Sequence, residues 1–145
     1  RKLLEVHAVA LASQFRSDDD LHRLSQVLEA MDTTDTEKYH TADIEFHTSV
    51  VFASGNTVLS QVYESSKHLF FKLPAFWRLF AHQENVKAAK IGSGIQGHLQ
   101  IYSAIEVKDA SLAKNLMFEH LDNVQQGLLG SIEYVQSLKP ISEAV

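Results

Sequence analysis

"GHLQIYSAIEVKDASLAKNLMFEHL", residues 97–121, contains the ends of two helical stripes and the turn between them. Ile95, His98, Tyr102 and Ile105 recur at i, i+3, i+7 and i+10. Leu112, Leu116, His120, Val124 and Leu128 then keep the beat of a second amphipathic helix. Between them "VKDAS" breaks the pattern around Asp109, with His98 eleven residues before that aspartate and His120 eleven after it. In an antiparallel helical hairpin, equal path lengths on either side of the turn bring two residues to the same height. The two imidazoles are therefore expected to meet across the hairpin, each in a place an aliphatic side chain would ordinarily hold.

The rest of the chain repeats the helical pattern. Leu4, Ala8 and Leu11, with Arg1 on the same line, mark a first helix ending near "QFRSDDD". Ser17 is the expected cap of a second, whose first turn carries Asp18, Asp19 and Asp20 and whose buried stripe is Leu21, Leu24, Leu28 and Met31. A third helix, capped by Thr34 or Thr36, runs through Phe46 and Val50 and stops at Gly55 and Asn56. Val58, Val62, Leu69 and Phe70 are the predicted stripe of a fourth, interrupted by Pro74. "AFWRLFAHQENVKAAK" (75–90) forms a fifth segment, aromatic at its start and polar at its end, and the last helix runs on to Pro140. No alternating run bounded by turn residues competes with these stripes. The expected fold is all-α, an antiparallel bundle of six or seven helices in one domain over residues 1–145.

Composition narrows the function. A chain of 145 residues supports one core. Its formal net charge of −5 argues against a basic face for nucleic acid. Cysteine is absent, which removes disulfides and thiolate chemistry and fits a cytoplasmic protein. No apolar run is long enough to span a membrane. A helical pattern already running at Arg1, with no start methionine, suggests a piece of a longer protein.

Within the third helix, "ADIEFHTSV" (42–50) sets Asp43 and His47 four positions apart, on the stripe of Phe46 and Val50 that should face the interior. A buried carboxylate beside a buried imidazole needs a partner. If this helix packs on the hairpin, Asp43, His47, His98 and His120 converge. Three imidazoles and one carboxylate make a competent ligand set for a divalent transition ion, zinc first, with nickel or manganese as alternatives. His40, three residues before Asp43, is expected near the mouth of the helix or exposed. His7, His22, His68 and His82 are expected in surface or ordinary core roles, and Phe76, Trp77 and Phe80 in the core or a dimer contact.

"TADIEFHTSVVFASGNTVLSQV" followed by "GHLQIYSAIEVKDASLAKNLMFEHL" resembles the effector-binding domain of GntR-type bacterial transcription factors, in the class named after the C-terminal domain of the fatty-acid regulator FadR. The shared features are Asp-x3-His, a "GN" at the end of that helix, and two later histidines 22 residues apart around an "AI…D" turn. "KLLEVHAVALA" resembles the first helix of that domain, with Arg1 where an arginine commonly precedes the "LE". Two features depart from the pattern: Gly97 stands where the family often has Glu, and "FFKLPAFWRLFAHQEN" is more aromatic than the usual linking helix. The resemblance covers essentially the whole chain. It implies a divalent metal on Asp43, His47, His98 and His120, a pocket for a small carboxylate such as a sugar acid, hydroxy acid or dicarboxylate, and a homodimer. Arg1 and Arg78 are the candidate cations for that carboxylate. The resemblance also implies operator binding only through an N-terminal winged helix-turn-helix domain that this chain lacks, and no enzymatic activity.

Two readings compete with the sensor. A metalloenzyme using the same four ligands to activate water needs a general acid or base beside the metal. Glu45 falls on the wrong helix face, and Glu119 points about 100° away from His120. A metal-free helical interaction module leaves three in-phase histidines without a reason.

Overall fold

The computed structural model describes residues 1–32, 34–72 and 84–137. Pro74, Phe76, Trp77, Arg78, Phe80, His82 and Pro140 lie outside the described residues. Six helices are described: α1 (Lys2–Phe15), α2 (Asp18–Glu29), α3 (Thr36–Ala53), α4 (Thr57–Phe71), α5 (Glu84–Glu106) and α6 (Ala110–Ser137). The fold is all-helical, and no strand occurs among the described residues. No described helix is long and apolar enough to cross a membrane.

Each boundary has a local cause. Ser17 and Asp20 form a reciprocal capping box, with Asp20 N–H donating to Ser17 Oγ at 3.1 Å and Ser17 N–H donating to Asp20 Oδ2 at 2.8 Å; such a cap is worth about 1 kcal/mol. Helix α3 is capped by Asp35, not by Thr34 or Thr36. The Asp35 carboxylate accepts from the N–H groups of both Glu37 and Lys38, while the Thr34 hydroxyl is already donating to Asp32. After Ala53 the chain turns through Gly55 at φ +67°, and Asn56 caps α4 by accepting from Leu59 N–H at 3.0 Å. The polar end of the expected fifth segment is continuous with the next helix. Glu84 to Lys90 opens α5, and glycines 92, 94 and 97 do not interrupt it.

The α5–α6 turn falls where the hairpin argument requires. Lys108 and Asp109 donate their N–H groups to Ile105 and Ala104 oxygens, closing α5, and Asp109 Oδ1 caps α6 by accepting from Leu112 N–H. Lys108 occupies this junction at φ +59°, a left-handed conformation that costs a non-glycine residue about 1 kcal/mol. Lys108→Gly is accordingly expected to raise the melting temperature of the domain by a few degrees, as read by circular dichroism.

The main core joins five helices: Val9 and Ala12 of α1, Leu24 of α2, Phe46 and Val50 of α3, Ile101 and Ile105 of α5, and Met117 and Leu121 of α6. A second cluster, Ala8, Val51, Tyr63 and Phe71, fastens α4 to α1 and α3. Here the expected stripe holds only at Phe70, which is partly buried against this cluster. Val58, Val62 and Leu69 are exposed, and Leu112 of α6 is exposed as well. Helix α4 buries Ser60, Tyr63 and Phe71 instead. The inward face packs Leu59 and Phe70 beside Tyr63 and Phe71 and sets the Tyr63 hydroxyl 3.2 Å from Glu5 on α1.

Candidate metal centre and adjoining cavity

Helix α3 places Asp43 and His47 one turn apart, and α5 and α6 deliver His98 and His120 from across the hairpin. One ligand atom from each of the four side chains lies within 4.8 Å of all the others. His98 Nε2 is 3.3 Å from His47 Nε2 and 3.2 Å from Asp43 Oδ1, and His47 Nε2 is 3.8 Å from the same oxygen. The His98 and His120 rings meet with centroids 4.5 Å apart and planes tilted by 51°, at the same height as the equal arms of the hairpin predict. Phe46 closes the cluster from below, its ring 4.6 Å from that of His98.

His47 and His98 are fully buried. His120 Nε2 is shielded from solvent with no hydrogen-bond partner among the described residues, which costs about 1–3 kcal/mol unless something else satisfies it. A divalent cation on this donor set would supply that partner, so the residues fit such an ion.

The electrostatics favour neutral imidazoles at His98 and His120 and charged carboxylates at Asp43 and Glu5. Burial pushes the His120 imidazole well below the ordinary histidine value, and neighbouring His98 and His47 push it the same way. Burial also lowers His98, against the opposing pull of Asp43. For Asp43, burial alone would raise the carboxyl, but a hydrogen bond from His98 and the nearby imidazoles hold it below the usual carboxylate range. Glu5 behaves alike: burial is outweighed by Arg1 and His47.

These shifts act together on stability. His98 and His120 take up protons in the unfolded chain as pH falls through about 6.5, but resist doing so when folded. Glu5 and Asp43 lose their stabilising charge only at lower pH, beginning near 4.5 and 3.8. The metal-free domain is therefore expected to melt at progressively lower temperature as pH is taken below about 6.5, with a steeper fall below about 4.5. A flat profile between pH 7 and 5 in the presence of a chelator would contradict this arrangement of charges.

A cavity of about 410 Å³ opens on the cluster between α3, α5 and α6, and Asp43 and His120 form part of its wall. Tyr39, Lys90, Gln100 and Asn123 also line it. Two glycines of α5 make room. A Cβ at Gly94 would fall 2.1 Å from the Tyr39 hydroxyl, and one at Gly97 would fall 2.9 Å from His120 Nδ1.

Several expectations change in three dimensions. Arg1 is nearly buried, yet it is not among the residues lining the cavity. Its Nε lies 2.7 Å from Glu5 Oε1, and its guanidinium stacks over Phe71 at 4.5 Å. Lys90 is a cation on the cavity wall that the sequence reading did not single out. Glu119 also lines the cavity. His40 is buried, not at an open mouth, and packs beside the Tyr39 ring. His7, His22 and His68 are exposed, and so is Glu45.

Glu5 and Tyr63 were missed. Glu5 approaches His47 Nδ1 at 2.7 Å, with the ring turned off the ideal donor direction, and Tyr63 donates to Glu5 Oε1 at 3.2 Å. One signal was available. Glu5 follows Arg1 by four residues and precedes Ala8 and Ala12 on the same helical face, so an inward Arg1 implied an inward Glu5.

The FCD domain profile matches residues 1–123. The chain is 30% identical over 138 residues to the "HTH-type transcriptional regulator LutR" of Bacillus subtilis, covering 92% of this chain and 61% of that protein. It is 28% identical over 133 residues to the "Uxu operon transcriptional regulator" of Escherichia coli, covering 89% of this chain and 51% of that one. The chain thus spans half to three-fifths of the length of these relatives. Among solved structures, E. coli McbR/YncC superposes with a TM-score of 0.71 at 22% identity, covering 92% of this chain and 65% of that one, and shares its helical fold. With a profile match over most of its length and relatives that are transcriptional regulators, the chain belongs to the FCD domain family of GntR-type regulators.

Proposed function

We infer that this chain is a metal-dependent effector sensor. Asp43, His47, His98 and His120 would hold a divalent transition ion, zinc first, with nickel or manganese as alternatives. The observation that carries the reading is the convergence of four buried donors from three helices, with His120 Nε2 lacking a hydrogen-bond partner among the described residues. When bound, the ion supplies a Lewis-acidic anchor for an anionic or hydroxylated ligand. The protein's own groups then hold the rest. Lys90 balances a carboxylate, while Gln100, Asn123 and the Tyr39 hydroxyl offer hydrogen bonds to hydroxyls. A small sugar acid, hydroxy acid or dicarboxylate suits that wall. Arg1 would contribute charge from behind the site, and Arg78 remains a candidate second cation.

In the whole regulator, a homodimer with winged-helix domains on the operator, such a ligand would alter DNA binding to the extent that it prefers one arrangement of the helices over another. The regulator relatives favour this over a metalloenzyme built on the same ligands. Elemental analysis tests the first half: about one zinc, nickel or manganese per chain, removable by a chelator, is expected. A folded chain that contains no metal and refuses added zinc and nickel would refute it. Thermal shift against a panel of small carboxylates, with and without metal, tests the second half.

The glycines provide a sharper check. Gly97→Ala forces His120 to yield by a few tenths of an ångström and is expected to weaken zinc or nickel binding about tenfold. Gly92→Ala meets nothing within 4 Å, so it should leave metal binding unchanged and stabilise α5 by about 1 kcal/mol. Isothermal titration of the two variants side by side distinguishes a steric effect on the ligand from a general effect of glycine replacement.

A further inference from the structure

Helix α1 contributes no ligand to the cluster, yet one of its carboxylates is aimed at it. Glu5 is fully buried and sets Oε2 2.7 Å from His47 Nδ1. A carboxylate only accepts, so at this distance a proton on Nδ1 is attracted where a lone pair would be repelled, even with the ring turned off the ideal donor direction. The lone pair of the ring is then on Nε2, the atom 3.3 Å from His98 Nε2 and 3.8 Å from Asp43 Oδ1. Every other polar group on Glu5 is a donor. Arg1 Nε and Nη2 approach at 2.7 and 3.2 Å, and the Tyr63 hydroxyl approaches at 3.2 Å.

An Arg–Glu pair four residues apart on a helix is ordinarily a surface feature worth a few tenths of a kcal/mol. Here both partners are drawn inside, at a desolvation cost that the pair alone does not justify. The added partner that distinguishes this pair is His47.

We propose that Glu5 is the positioning residue of the metal centre: it selects the tautomer of His47 that presents Nε2 to the ion, and Arg1 and Tyr63 keep it charged and in place. The proposal rests on the metal reading above. It makes the first turn of α1 part of the centre, because an ion withdrawing electron density from the imidazole strengthens the Nδ1–H donation to Glu5.

The test uses the whole chain, zinc and nickel as probes, and two variants. Glu5→Gln keeps the shape but removes the charge and allows the side-chain amide to donate instead of accept. Arg1→Met combined with Glu5→Gln removes both charges, so that no unpaired guanidinium is left to unfold the domain. In both, metal affinity measured by chelator competition is expected to fall about 10- to 100-fold. In metal-free protein, histidine ¹⁵N shifts should show His47 as the Nδ1–H tautomer in the wild type and a mixture in the variants. Folded variants that bind as tightly as the wild type and keep the tautomer would overturn the role of Glu5 alone. A wild-type chain that takes up neither metal would overturn the reading beneath it.

Discussion

His120→Ala is expected to abolish the thermal stabilisation that zinc or nickel confers, while leaving the melting temperature of the metal-free domain nearly unchanged. The two halves have different causes. In the metal-free domain the His120 ring contributes packing but also a shielded, unpartnered nitrogen, and removing it trades lost contacts against a relieved penalty. With metal at 100 to 1,000 times its dissociation constant, linkage stabilises the wild type by about 2.7–4.1 kcal/mol. In a domain of this size that corresponds to a shift of roughly 5–15 °C. Removing one of four ligands should eliminate most of it. His98→Ala should do the same to the metal response, but it also removes a buried ring packed on Phe46 and a hydrogen-bonding partner of Asp43, so its metal-free form should melt lower. A metal-induced shift that survives in both variants would mean that the ion binds elsewhere.

Phe46→Ala is expected to be the most destabilising single change, at about 3–5 kcal/mol. The side chain is fully buried in the main core, beside Val50 on α3 and against helices α5 and α6, so truncation leaves a void that five helices cannot readily close around. The ring also packs on His98 at 4.6 Å and His47 at 5.6 Å. The loss should therefore reach the metal centre, with the imidazoles freed to rotate and metal affinity reduced along with stability. Chemical denaturation with and without zinc separates the two effects. If affinity were unchanged in a destabilised Phe46→Ala, the floor of the site would be set by the backbone alone.

The convergence of Asp43, His47, His98 and His120 was readable because its geometry is mostly local. Asp43 and His47 share a helix, where the four-residue spacing decides that they project together. His98 and His120 share a hairpin, where arms of equal length decide their height. Only the docking of α3 on that hairpin had to be assumed, and the buried stripe of Phe46 and Val50 pointed to it. Helix α4 was legible as a helix but not in its rotation. Val58, Val62 and Leu69 are exposed, whereas Tyr63 and Phe71, with Leu59 and Phe70 beside them, pack on α1 and α3; both faces are apolar, so periodicity alone does not say which turns inward. The buried face also sets the Tyr63 hydroxyl against Glu5, a residue fifty-eight positions away on α1. The N-cap of α3 was likewise misplaced by one residue, because the hydroxyl of Thr34 is engaged by Asp32.

By itself, then, the sequence determined that this chain is helical, where the α5–α6 turn falls, and which four side chains come together, since each of these depends on spacing along one helix or one hairpin. Tertiary structure alone decided that Glu5 meets His47 and Tyr63, that Lys90 and Asn123 line the cavity, and that Gly94 and Gly97 are needed for the approach of Tyr39 and His120. These are contacts between helices distant in the chain, and the period of a single helix carries no information about which neighbour a given face will meet.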